Sequence, residues 1–385
     1  MTSFENLDNA KLHDEIEDTP TNRSGNRPFA DVARVYASRR DVVKGGAAAA
    51  AAGFFAPSAL VATNRAAAEE SGGKLVNFKP VTIEEGSSDS KMPHISGDYQ
   101  YQTLIPWGTD LFDEDKDYNG DLTTRPTAEE AETQVGLGHD GMWFYPIDQA
   151  NEEYVPFGYR LSNTNGLLVV NHEYGTNGHV FGFERDENNE LVLSDTGDPI
   201  SKSPQSLDDV RLSQAIHGVT VAEISYGGVV RNGFFAREWS LVRGSSFNRR
   251  ITVNTPVEFS GPVAGTEYLE NMAENMPAGT VNNCGSGPTP WGTYVTCEEN
   301  FNGYFGANGE FTPTEEQDRY GFSDSGFGYQ WHEYDERFDL NNEMYANEHH
   351  RFGWCVEIDP FNPDAKPVKR TAMGRVKHEA VAIKE

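Results

Sequence analysis

Cysteine is scarce, with only Cys284, Cys297 and Cys355 in a chain of 385 residues. Three thiols cannot build a disulfide framework, and at least one must stay unpaired within the chain. Positive charge is short as well: 31 Lys and Arg stand against 60 Asp and Glu, a formal net charge of −29. Without clustered bases to neutralise phosphates, the chain is not a general nucleic-acid binder. Long apolar runs are missing. The weakly apolar stretch "VVKGGAAAAAAGFFAPSALVA" at 42–62 is too alanine-rich and too short for a permanent membrane span. Helical periodicity is nearly absent too, and only 207–216 reads as an amphipathic helix of ordinary length.

What the chain does contain is 38 Gly and 20 Pro punctuating short apolar runs. These runs, at 166–171, 218–224, 239–242, 293–296 and 354–358, predict strands separated by Asn-Gly, Gly-Gly and Pro turn signals. The length suffices for one large core or two smaller ones. No fixed-length repeat stands out, so an all-β solenoid, sandwich or propeller fits.

The first 37 residues are polar and poor in aromatics, which predicts disorder. Ser38, Arg39 and Arg40, with Val42, Val43 and Lys44, then form the twin-arginine export pattern, and "AAA" at 66–68 offers a small-residue cleavage site. The reading is a leader over 1–68 and a mature chain from near Glu69 that is periplasmic or secreted. That export machinery carries folded proteins, so a cofactor can be acquired before crossing. Residues 1–68 hold eight acids and eight bases, and the whole surplus of acid therefore lies beyond them. Two explanations compete for it: adaptation to salt and solubility, or carboxylates gathered for hard cations.

"DEDKDYNGD" at 113–121 contains Asp115, Asp117, Asn119 and Gly120, the first half of a calcium loop. Its twelfth position is Pro126 instead of a bidentate Glu, which makes it an acidic surface turn. Four other stretches gather ligand-type residues beside a strand or a glycine turn. They are "VVNHEYG" (Asn171, His172, Glu173), "GSSFNRRIT" (Asn248, Arg249, Arg250), "NNCGSGPTPWGTYVTCEENFNGYF" (Cys284, Glu298, Glu299, Asn300) and "GRVKHEAV" (Lys377, His378, Glu379). Each alone is equally readable as a surface pair or a small core residue. As a set they offer oxygens for calcium, a thiolate for a redox metal and planar guanidinium forks for phosphate.

These blocks, with "SRRDVVKG", "HGVTVAEI" and "VEIDPFNP", resemble the PhoX-type alkaline phosphatases, exported phosphomonoesterases built on a β-propeller. The resemblance implies an all-β propeller with irregular loop insertions and a site holding iron and calcium. It likens Cys284 to an iron-ligating cysteine and Glu379 to an iron-ligating carboxylate. It likens Glu298, Glu299 and Asn300 to calcium-side ligands, with either acid able to point inward. Glu173 falls in a ligand block, and His172, Arg249 and Arg250 in blocks that would meet a phosphate monoester substrate. Family members are longer, so the resemblance also implies that 69–385 is the N-terminal portion of a propeller, here incomplete, unstable and inactive alone. A monomer is expected. The alternatives are a calcium-dependent propeller lactonase or phosphotriesterase, and a non-catalytic exported binding propeller.

Overall fold

The computed structural model describes residues 93–96, 99–148, 153–154, 163–231, 234–273 and 278–383. The expected leader and export signal of 1–68 lie outside the described residues. The chain divides into a unit Thr19–Gln102 and a second unit that includes Thr103–Glu385. In the first, 93–96 and 99–102 have no regular secondary structure. Every element below belongs to the second.

Two sheets carry it. The first contains β1 (His139–Asp148), β2 (Glu153–Tyr154), β3 (Asn165–His172), β4 (Gly218–Arg231) and β5 (Phe234–Leu241), in the order β2-β1-β3-β4-β5. A sixth strand, β6 (Arg249–Ile251), pairs with β4, and every pairing in the sheet is antiparallel. The second sheet holds β7 (Glu258–Ser260), β8 (Asn283–Pro288), β9 (Tyr294–Glu298), β10 (Cys355–Ile358) and β11 (Val368–Arg370). Its order is β7-β11-β10-β9-β8, antiparallel except between β7 and β11. The expected strands correspond to β3, β4, β5, β9 and β10. The fold is therefore predominantly antiparallel β, but the described residues form two sheets and no closed propeller.

β1 and β8 were not foreseen from sequence. "HDGMWFYPID" and "NCGSGP" carry Gly and Pro in place of a clean apolar alternation. Pairing with β3 and β9 overrides that weak propensity. Among the described residues four short α-helices accompany the sheets: α1 (Ala128–Ala131), α2 (Asn177–Phe181), α3 (Leu207–Ala215) and α4 (Glu315–Tyr320). The expected helix is α3. Its N-terminus is capped by Ser206, which accepts from Asp209 N, and it buries Val210, Leu212 and Ala215. Thr127 and Thr314 close capping boxes with Glu130 and Gln317, which lets α1 and α4 form despite their length.

Tyr294 and Ile358 of the second sheet pack with Tyr145, Leu167, Val169, Val219, Val221 and Ile251 of the first, so one core joins both sheets. A separate aromatic core (Phe301, Tyr304, Phe305, Phe322, Trp331, Phe338, Phe352) holds the irregular 301–352 stretch, made of short helical turns. The 113–121 segment is the surface turn its sequence implied. Asp113 and Asp121 cap single turns, and Asp117 pairs with Arg243 at 2.6 Å. No helix among the described residues is long and apolar enough to cross a membrane.

Candidate metal centre

Three chain segments converge where the sheets meet. Asp140 lies at the start of β1, Glu173 just past the end of β3, and Cys284 on β8. Their ligand atoms lie within 4.8 Å of one another. Glycine makes the convergence possible. Gly138, in the turn before β1, has φ +68°, and a Cβ there would sit 2.2 Å from Tyr174 O. Only a residue without a side chain can press that turn onto the chain after β3.

Asn171 locks the junction. Its side-chain amide donates to the Cys284 and Gly285 carbonyls, and its Oδ1 lies 2.9 Å from the Tyr294 hydroxyl. The same hydroxyl lies 2.8 Å from Gly141 O. One buried amide thus fixes β3, β8 and β9 around the thiol.

Glu379 arrives on an extended segment running along β8. A Cβ on Gly285 would fall 2.4 Å from Glu379 O, and one on Gly287 would fall 2.2 Å from Val381 O. The glycine-rich β8 is the track that admits this segment. Together these groups line a cavity of about 540 Å³ with Leu137, Gly138, His139, Tyr174 and His179. His179 sits on α2, its Nδ1 2.7 Å from Thr176 Oγ1.

Burial pushes the Cys284 thiol well up, and the charges acting most on it, Glu173, Glu299 and Asp140, all push the same way. A buried thiol ringed by carboxylates stays protonated unless a cation joins it. Glu299 also acts on Lys377, whose ammonium is weakened by burial and supported by that carboxylate.

The neighbouring Glu298 has a different fate. It is fully buried, with Oε1 2.7 Å from Lys369 Nζ and Oε2 accepting from Gly353 N at 2.9 Å and Trp354 N at 3.0 Å. Both oxygens are spent on the protein, so Glu298, a ligand candidate in the sequence, is found in a buried ion pair with Lys369. Asn300 is also turned to internal work. Its N–H donates to Asn282 Oδ1, its Oδ1 lies 3.4 Å from Lys377 Nζ, and it does not line the cavity.

The three residues expected to meet substrate, Arg249, Arg250 and His172, are also engaged within the protein. Arg249 donates to Phe247, Asp359 and Pro360 carbonyls, and Arg250 to those of Gln134 and His217. Burial pulls both guanidinium groups down to about 10. His172 is wholly buried, bonded to Thr220 Oγ1 at 2.6 Å, and kept neutral by burial and by Arg250. None of the three lines the cavity. Asp140, His139 and His179 do line it, and no ligand spacing in the sequence marked them.

The fold and this site define a class: a predominantly antiparallel β protein with a thiol–carboxylate centre where two sheets meet. A family model described as alkaline phosphatase PhoX matches residues 76–385, and the chain belongs to that family. Among solved structures it is similar to "Pseudomonas fluorescens PhoX in complex with vanadate, a transition state analogue", at 36% identity and a TM-score of 0.56. The match covers 72% of this chain and 42% of that one, so the chain spans less than half the length of that relative. No curated protein matches.

Proposed function

We propose that this chain supplies the metal centre of a phosphate monoester hydrolase that releases inorganic phosphate. The observation that carries the reading is the Asp140–Glu173–Cys284 cluster, with donor atoms inside 4.8 Å, in a protein of the PhoX family. Its donor chemistry fits two kinds of cation. A thiolate suits iron, and surrounding carboxylates suit calcium. Cys284 would hold iron, and Asp140, Glu173, Glu299 and Glu379 would offer oxygens to iron and calcium. When bound, these cations supply Lewis acidity toward a phosphoryl group.

The chain's own residues do the rest. Asn171 fixes β8 and so holds the Cys284 sulfur in place, which is the positioning part of catalysis. Leu137 and Tyr174 form the less polar wall of the cavity. His179, with Nδ1 engaged by Thr176, keeps Nε2 to hold or pass a proton at the leaving oxygen. A chain of net charge −29 accepts a phosphate because the local field at the centre, not the total charge, acts on the ligand. Twin-arginine export to the periplasm or beyond, and a monomeric state, complete the proposal.

The test joins elemental analysis with hydrolysis of an aryl phosphate monoester, with and without vanadate. Iron and calcium bound to the protein and vanadate-sensitive hydrolysis are expected. Cys284→Ser should remove the iron and cut turnover by more than about 100-fold. Unimpaired hydrolysis by a Cys284→Ser protein without iron would sink the proposal. Calcium without iron, with lactone or phosphotriester hydrolysis, would favour the calcium-only hydrolase.

A further inference from the structure

We infer that Cys297 and Cys355 are a disulfide-forming pair that clamps β9 to β10 beside the metal centre. The β9–β10 register sets Cys355 directly opposite Cys297. Glu298 N donates to Trp354 O, one residue beyond each cysteine. That bond makes the cysteines a non-hydrogen-bonded pair, the kind in which opposed Cα atoms come closest, about 4.5 Å apart. Disulfides span Cα separations of about 4.4–6.8 Å, so the backbone need not move. The sulfurs are 4.0 Å apart and wholly buried, packed with Val295 and beneath Val381. Side-chain rotation alone closes that gap to a bond of about 2.0 Å.

The rival pairing is disfavoured by register. β8 pairs Asn283 with Glu298 and then shifts, so Cys284 sits in an irregularity and not opposite Cys297. Its sulfur faces Asp140 and Glu173 instead.

In the reaction, a thiolate of the pair attacks an external disulfide, such as oxidised glutathione or the disulfide form of an oxidoreductase, and one external thiolate leaves. The second cysteine then attacks the protein sulfur of the mixed disulfide and expels the second external thiol. The pair loses two protons and two electrons, one S–S bond forms, and the external disulfide leaves as two thiols. Both sulfurs lie under the Val381 segment, so exchange takes place while that segment is lifted. The bond closes two residues before Glu299, which holds the ligand-bearing end of β9 against β10.

The pairing does not depend on phosphatase activity, and its test reads thiols. The full chain is recovered from the exported fraction, or equilibrated with oxidised glutathione, then unfolded and alkylated with iodoacetamide. One labelled cysteine, Cys284, is expected, with a protein mass lower by two hydrogens and a cross-linked peptide joining Cys297 to Cys355. Dithiothreitol should restore three labelled cysteines and lower Tm by about 5 °C or more. Cys355→Val should leave two labelled cysteines, and Cys284→Ser none. Three labelled thiols in the glutathione-equilibrated protein, or a cross-link containing Cys284, would overturn the pairing. The wild-type peptide map decides even where a variant does not fold.

Discussion

Glu298 and Glu299 are neighbours in sequence and opposites in electrostatics. Glu298 belongs to a buried charge network that the protein neutralises itself. Lys369 pairs with it at 2.7 Å, and nearby Glu348 is held by Arg337 at 2.9 Å and Arg351 at 2.8 Å. Lys369 also lies 4.2 Å from the centre of the Phe352 ring. Glu299 instead joins Glu173 and Asp140 around the Cys284 thiol, where the dominant charges share one sign. A self-neutralised network stabilises the fold whatever the solution contains. A same-sign cluster beside a cavity ties its stability to an added cation, and that is how a functional site differs from a structural one.

The sharpest way to break the comparison is to remove one partner from the first network. Glu298→Ala leaves the Lys369 ammonium buried without its direct carboxylate partner and should cost about 3–5 kcal/mol in urea unfolding. Glu298→Leu combined with Lys369→Met should recover only part of that loss: desolvation of both charges disappears together, but the Gly353 and Trp354 N–H groups stay stranded. A single-variant cost below about 1 kcal/mol would remove the contrast. Glu299→Gln should be felt chiefly in the response to cations. Without metal its effect on stability should be small, since relief from Glu173 and Asp140 offsets the lost support of Lys377. The parent should gain about 2.7 kcal/mol at a cation concentration 100 times Kd, and the variant much less. Thermal scans with and without calcium measure both effects. An equal calcium response in parent and variant would take Glu299 out of the centre.

How much of this was visible beforehand follows from the kind of interaction. β3, β4, β9 and β10 were legible because their apolar runs are short and bounded by turn residues. Cys284 and Glu173 were legible because they end or interrupt such runs. Asp140 was not, since its role exists only once "HDGMWFYPID" pairs with β3. Strand alternation implies that Glu298 and Glu299 cannot face the same way. It cannot say which is turned inward, because the deciding partner, Lys369, is 71 residues further along. Arg249 and Arg250 are hard to read for the same reason: a guanidinium that clamps carbonyls has the same letter as one that binds phosphate.

Asn171 offers a smaller test, aimed at the link between the sheets. Asn171→Ala takes the amide donor from the Cys284 and Gly285 carbonyls and leaves the Tyr294 hydroxyl with Gly141 O alone, at a cost of about 1–3 kcal/mol. Metal affinity should fall with it, although Asn171 is not proposed as a ligand. Loss of stability with unchanged metal affinity would confine Asn171 to the fold.

The smallest effect belongs to pH and to the other region, the aromatic core around 301–352. His349 packs edge-on against Phe322 and Phe305 and is buried. Burial holds its imidazole well below the usual value, His350 and Arg375 push the same way, and a hydrogen bond with the Ala346 backbone opposes them only in part. Between the ordinary histidine value of about 6.5 and that lower folded value, the unfolded chain binds a proton that the folded chain refuses. The stabilisation is therefore complete above about pH 6.5 and declines as pH falls, with a slope of up to about 1.4 kcal/mol per pH unit. His349→Phe removes the titrating group while keeping an aromatic ring in the core. Its urea-unfolding free energy should fall less steeply between pH 6.5 and 5 than the parent's. Parallel slopes would assign the acid sensitivity to other groups, and the core would then be indifferent to proton and cation alike.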